Sequence, residues 1–346
     1  MVSDLHLDAD APDTRGVGAA FAVFLDEIVR GRRQAARHLV LLGDSFEINS
    51  DTGVNDREAQ ALHRLHRIGD HFPAVFRGLT ALLEDGVEVH VVCGNHDFDL
   101  ARPAVHQELL RMLGGPTGSA VVHPWLFHVP GLLYAEHGSQ HHDLNRIPTL
   151  LRATQPGRQG ELALPPLAVL TQDRYHEDGV VARGLLMTRA LLRTARAERE
   201  IATPAYQEML ASTAETQQLP ILAVRALARL SQVKPLVTAA DVSRRLAAHH
   251  FGGKHDAYLR RAVLRIDDVM SRNGVRPVCY AFGHTHVADR RPLSIVGAYY
   301  ANCGTWSQWT RASTSATASG FPYVLLEKTG PEVRVRLNRW HPSMSL

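Results

Sequence analysis

The stretch VEVHVVCGNHD, residues 87–97, changes character partway along. Valines at 87, 89, 91 and 92 read as a strand, since β-branched side chains pack well on a pleated surface. Gly94 then permits a sharp exit, and Asn95, His96 and Asp97 follow as groups able to hold a metal or carry a proton. The same pattern recurs along the chain. RHLVLLGD (37–44) ends in Gly43-Asp44, GLLYAEHG (131–138) ends in His137-Gly138, and VCYAFGHTH (278–286) ends in Gly283-His284-Thr285-His286. The chain itself opens MVSDLH, placing Asp4 and His6 just after an apolar pair. Taken singly these signals are weak. Gly-Asp is also a turn, GNHD can be a strand-to-loop turn, and Asp4 with His6 can be a solvated terminus. Together, each at a strand exit, they converge, because the carboxyl ends of strands in an α/β sheet line one crevice.

A helical pattern from about Asp56 to Glu84 separates the first two of these strands, the rhythm of a β-α-β unit and a largely parallel sheet. From about residue 150 the text turns to alanine, leucine and arginine at helical spacing, through GLLMTRALLRTARAERE, AYQEMLASTAETQ, ILAVRALARLSQ and AYLRRAVLRIDDVM. Prolines at 165, 166, 204, 220 and 235 punctuate it as helix boundaries do. Strand character returns after 275 and ends in a hairpin, YVLLEK and EVRVRLN, turning at Thr329-Gly330. Residues 310–320 are small and loop-like. The expected organisation is one α/β core, 1–149 with 271–346, interrupted by a helical cap at 150–270.

No apolar run approaches the eighteen or so residues of a membrane span, and the start lacks the basic and apolar regions of a signal peptide, so the expected compartment is cytoplasmic. Cys93, Cys279 and Cys303 are too few for a disulfide framework and read as small buried residues. The net charge of +3 is uneven. Residues 150–270 carry 17 basic against 12 acidic side chains, and the remainder 21 against 23. The basic middle suits an anionic partner or a solvated helix face equally well.

The candidate ligands are two carboxylates, one carboxamide and at least four imidazoles, with no thiolate. Mixed nitrogen and oxygen donors suit manganese, iron, nickel, cobalt or zinc better than calcium or magnesium. Seven ligands exceed one ion but suit two, with a carboxylate between them. Such a pair, about 3.5–4 Å apart, clamps an in-line displacement at phosphorus.

The series DLH, GD, GNHD, HG and GHTH resembles the calcineurin-like metallophosphoesterases, over about 1–145 and 275–305. The resemblance implies an α/β fold of two packed mixed β-sheets flanked by helices, an αββα sandwich, here with a large helical insertion. It implies two divalent transition metal ions, manganese first, with iron or zinc as alternatives. Asp4, His6 and His286 would hold one ion, Asn95, His137 and His284 the other, and Asp44 would bridge. His96 would face the substrate as a catalytic group, and Asp97 would orient it. The implied activity is hydrolysis of a phosphomonoester, phosphodiester or pyrophosphate by metal-bound hydroxide.

GDSFE (43–47) lacks the aspartate-arginine-glycine run of the protein phosphatases. Glu47 after Phe46 looks more like the UDP-2,3-diacylglucosamine hydrolase branch, which cleaves a pyrophosphate. Two features depart from that branch: His96 stands where it usually has arginine, and the insertion is larger than its lid. The expected partner is thus a small phosphorylated molecule, be it a nucleotide, sugar-nucleotide or phospholipid-like compound. His141, His142 and Asn145 follow His137 closely and are candidate pocket residues, as is Asp143. Arg189, Arg193 and Arg196 form one helical stripe that suits a phosphate, a transient contact with a membrane surface, or plain solvent. Trp306 and Trp309 read as core.

A nuclease is the first rival, with the basic insertion gripping a phosphate backbone. Nucleic acid is the weaker expectation, because aromatics are sparse between 150 and 270. A non-catalytic scaffold is the second rival, and it should show gaps in the ligand set; none is missing. Only Met1, Val2 and Ser3 precede Asp4, fewer than a ligand-bearing first strand needs. The expectation is a natural start upstream, or failing that a weaker metal at Asp4 and His6.

Overall fold

A computed structural model of the chain describes residues 1–11, 13, 16–31, 36–49, 56–142, 145–147, 204–230, 257–293, 297–307 and 320–342. The chain is α/β, with mixed sheets and helices. Most of the expected cap, Asp143, the arginine stripe at 189, 193 and 196, Trp309 and nearly all of the 310–320 loop lie outside the described residues.

The strands β1 (His38–Leu42), β2 (Glu88–Val92) and β3 (Ala120–His123) pair in parallel in that order. A second sheet is mixed, in the order β4 (Leu126–Val129), β5 (Leu133–Glu136), β6 (Cys279–Phe282), β8 (Tyr299–Asn302) and β7 (Asp289–Pro292). Its β5, β6 and β8 run parallel, with antiparallel β4 and β7 at the edges. The strands β9 (Phe321–Thr329) and β10 (Glu332–Trp340) form the expected hairpin, with Gly330 at φ 58° in its turn.

The opening segment pairs with β1 without making a regular strand. Val2 and Leu41 form one parallel bridge, Leu7 and Phe46 another. Met1 exchanges backbone hydrogen bonds with Val324 of β9, so the segment joins the hairpin to the parallel sheet. The helices α1 (Val17–Phe24), α2 (Arg57–His71), α3 (Pro73–Glu84) and α4 (Pro103–Leu113) belong to the first half. α5 (Pro204–Thr216), α6 (Ile221–Leu230) and α7 (Ala257–Arg272) come from the later helical text. No helix among the described residues is long and apolar enough to cross a membrane.

The expected 56–84 helix divides at Phe72. Asp56 caps the start, its side chain accepting from the Ala59 amide at 2.9 Å. Pro73 has no amide hydrogen to continue α2, yet its fixed φ suits the first position of α3. α7 crosses residue 270, the expected end of the insertion. Its buried Asp267 accepts from the Tyr280 hydroxyl and from Arg276, both at 2.7 Å, which fastens the helix to β6.

Alternation explains the valine-rich strands. Leu39, Leu41, Val89 and Val91 belong to an apolar cluster shared with the helices. Their neighbours Val40, Leu42 and Val92 belong to a second cluster with Leu133, Ala135, Cys279 and Ala281. That second cluster draws on both sheets, so each strand is buried on two faces and reads as a near-continuous apolar run. All three cysteines are buried and free, and Trp306 is fully buried against Phe21 and Phe24, as expected of core residues.

Candidate metal centre

Every strand exit singled out in the sequence leads to one place. Asp4 and His6 lie beside the end of β1, where Asp44 emerges; Asn95 and His96 follow β2, His137 follows β5, and His284 and His286 follow β6. Separated by up to 282 positions in the chain, the carboxylate and imidazole donors of Asp4, His6, Asp44, His137, His284 and His286 fall into two compact groups. Asp4 Oδ1 is 3.1 Å from His286 Nε2 and 3.8 Å from His6 Nε2, and the two imidazole nitrogens are 3.2 Å apart. Asp44 Oδ2 is 3.0 Å from His137 Nε2, and His284 joins these two in a second compact group.

The backbone is bent to this purpose. Among the described residues six non-glycines have positive φ, and five are Asp4, His6, Asp44, His284 and His286, at 49–67°. Each such residue costs about 1–3 kcal/mol, a strain that clusters at functional sites. Close approach also explains two glycines. A Cβ on Gly94 would stand 2.1 Å from Asp44 Oδ1 and 2.5 Å from its backbone nitrogen. One on Gly283 would stand 1.9 Å from Ser3 Oγ and 2.6 Å from Asp4 Oδ2. Gly94→Ala is therefore expected to push Asp44 out of register and lower turnover by about 10²-fold, the order expected for an ångström of misplacement. Metal content and rate measured together would check it, and a fully active variant with normal metal content would refute it.

The donors fit cations. Asp4 Oδ1 and Asn95 Oδ1 are buried without a hydrogen-bond donor, an arrangement that is costly unless something positive meets them. His137 Nδ1 donates to the Leu42 carbonyl at 2.9 Å, which turns Nε2 towards Asp44. Burial disfavours the charged His137 ring, but Asp44 and Asp4 outweigh it and raise the imidazole to about 9. His284 is held well below its usual value, first by burial and then by His137. Asp44 stays well below the carboxylate range despite its burial, because His137 and His96 face it.

Glu47 is the residue that sequence reading valued only as a family marker. Its two oxygens accept from His6 Nδ1 at 2.5 Å and from His96 Nδ1 at 2.9 Å, tying a candidate ligand to the candidate catalytic group. Burial opposes its ionisation, yet His96 and His6 bring it down to about 2. His96 in turn rises to about 10, Glu47 and Asp44 overcoming desolvation. Glu47 thus takes the place expected of Asp97. The Asp97 carboxylate accepts from the amides of Gly94 at 2.6 Å and Ser45 at 2.7 Å, and so ties the β1 exit to the β2 exit. Fully buried and close to Asp44, it is pushed up to about 7.

The expected pocket residues divide. Asn145 Nδ2 lies 3.1 Å from His284 Nε2, and the His142 ring sits 5.5 Å from that of His284. The His141 Nε2 is instead bonded to the buried Glu136 at 2.5 Å, with the side chain only 8% exposed. Tyr258 of α7 also approaches His284, with ring centroids 6.4 Å apart. Arg189 and Arg193 lie outside the described residues.

No family model matches the chain. Among curated proteins it is similar to the UDP-2,3-diacylglucosamine hydrolase of Aeromonas salmonicida, 33% identical over 116 residues, covering 34% of this chain and 38% of that one. The enzyme of the same name from Ralstonia nicotianae is 40% identical over 103 residues, covering 30% and 31%. That from Hahella chejuensis is 28% identical over 170 residues, covering 48% and 58%. The chain spans about two fifths of the length of the first relatives it matches. Among solved structures, a phosphopantetheinyl hydrolase from Mycobacterium tuberculosis aligns over 88% of both chains, with 14% identity and a TM-score of 0.29.

Proposed function

We propose that the chain is a metal-dependent hydrolase of a small-molecule phosphoester, built on two sheets layered between helices. The observation that carries this reading is the convergence of seven candidate ligands from the opening segment and the exits of four strands, β1, β2, β5 and β6. In it Asp4, His6 and His286 would hold one divalent ion, Asn95, His137 and His284 the other, and Asp44 would be shared. Divalent ions held there would supply Lewis acidity, activating water near neutral pH and neutralising phosphoryl charge. His137, with its proton fixed on Nδ1, presents Nε2 as a donor. His96, one-third exposed and held through Nδ1 by Glu47, is the acid for the leaving oxygen in this reading. His142, Asn145 and Tyr258 border the His284 side, where the leaving group would lie. The relatives' names make a UDP-linked acylated sugar the first substrate to test.

The test is a side-by-side assay with manganese, iron or zinc of a phosphomonoester, a phosphodiester, UDP-sugar pyrophosphates and single-stranded DNA. Metal-dependent turnover of a small phosphoester is expected. Failure with every metal and substrate would overturn the hydrolase reading, and preferential cleavage of DNA would replace it with the nuclease. Glu47→Gln is expected to lower kcat about 10–100-fold with the fold intact, because one amide oxygen cannot accept from both His6 and His96. Unchanged kcat would show that Glu47 orients neither.

A further inference from the structure

We propose that His38, Glu88 and His90 form a separate site for a transition metal ion of the zinc, cobalt or nickel class. They lie at the start of the parallel strands, with His90 two residues into β2, at the end opposite the centre described above. His38 and Glu88 are register partners at the first positions of β1 and β2. With about 3.3 Å per residue, His38 stands about 20 Å along the strand from Asp44.

Geometry carries the inference. His38 Nδ1 is 3.1 Å from His90 Nε2 and 3.3 Å from Glu88 Oε2, and His90 Nε2 is 3.5 Å from Glu88 Oε2. Ligands on a tetrahedral zinc at about 2.0–2.1 Å lie about 3.3 Å from one another, so these atoms already outline one face of such a site. The His90 ring is fixed in place, 6% exposed and stacked on Phe127 with centroids 4.0 Å apart. His38 and Glu88 are 44% and 53% exposed, which leaves an approach and a fourth position to solvent. Two imidazoles and one carboxylate are the donor set of an open zinc site. Burial, reinforced by His38, brings the His90 imidazole down to about 4, so at neutral pH the His90 ring carries no charge to oppose a cation.

A hydrogen-bonded relay behind His90 controls the site. The backbone amide of His128 donates to Gln217 Oε1 at 2.9 Å, which turns the Gln217 amide nitrogen towards His123 Nδ1 at 3.1 Å. His123 Nδ1 must then accept, so its proton sits on Nε2 and donates to His90 Nδ1, 3.1 Å away. The His90 proton is consequently on Nε2, facing His38 and Glu88. An ion can take that nitrogen only if the relay reverses. Each ring proton then moves to Nδ1, with no net proton released, and Gln217 loses one favourable contact.

The test uses the full chain titrated with cobalt(II), whose four-coordinate form has a distinctive visible spectrum. His38→Gln and Glu88→Gln alter exposed side chains outside the proposed hydrolytic centre, so fold and turnover are expected to stay unchanged. Each should remove one equivalent of bound cobalt with its four-coordinate spectrum, or weaken it by about tenfold or more. Wild-type stoichiometry and spectrum in both variants would overturn the site, whatever the fate of the hydrolase reading. Gln217→Glu offers His123 only an acceptor, fixes both ring protons on Nδ1 and bares His90 Nε2. It is expected to tighten this equivalent about tenfold, and an unchanged or weaker affinity would overturn the relay's control.

Discussion

Asp44→Asn is expected to lower kcat/KM by about three orders of magnitude or more, equivalent to about 4 kcal/mol of transition-state stabilisation. The substitution keeps the shape and removes the charge. Asp44 belongs both to the group with His6 and His96 and to the group with His137 and His284. Its Oδ1 accepts from the His96 amide at 2.8 Å, so the carboxylate also fixes where the catalytic loop leaves β2. An asparagine can still accept that bond through its oxygen. Its amide group would then face His137 Nε2, where the carboxylate had stood at 3.0 Å, and present a donor to any cation. Metal content is expected to fall in step with rate, measured by elemental analysis beside steady-state kinetics. Undiminished turnover would overturn the proposal that Asp44 is a metal ligand.

The centre was legible because its residues sit at a chemically constrained place, the end of each strand, where glycine and polar side chains interrupt an apolar run. Gly94 and Gly283 are the clearest case. They let Asp44 and Asp4 approach, where the sequence alone pointed only to a sharp exit from each strand. Glu47 and Asp97 show what sequence could not resolve. Both are acidic and close in sequence to a ligand, and nothing in spacing says which carboxylate reaches the His96 ring. The answer depends on how the loop after β1 folds across that after β2. There Asp97 turns inward to accept two amides and Glu47 takes the ring nitrogen. The partner of His141 was hidden for a similar reason, since nothing at five residues' distance marks Glu136 as the carboxylate that engages its ring. The opening segment, expected as a first strand carrying candidate ligands, makes only isolated bridges, because its pairing is shared between the β1 side and β9.

Acidification is expected to destabilise the fold through His90 and His123 in a way that substitution can isolate. Burial is the first cause of both shifts. It brings His90 to about 4 and His123 to about 3, with neighbouring histidines adding to the effect. Unfolded, both would titrate near 6.5. Between these values the unfolded chain binds protons that the folded chain refuses, so stability rises with pH and is lost as pH falls from about 6.5 towards 4. Each site contributes a slope of about 1.4 kcal/mol per pH unit within its window, and the two together about 3–4 kcal/mol between about pH 6 and pH 4.5. That is a large share of a typical domain's 5–15 kcal/mol. His123→Leu should cost stability at every pH by leaving the Gln217 amide and His90 Nδ1 without their partner. It should also flatten the acid limb by about one proton's slope. The measurement is urea unfolding of wild type and variant across that range. Parallel curves would mean that His123 titrates alike in both states and is not held neutral by the fold.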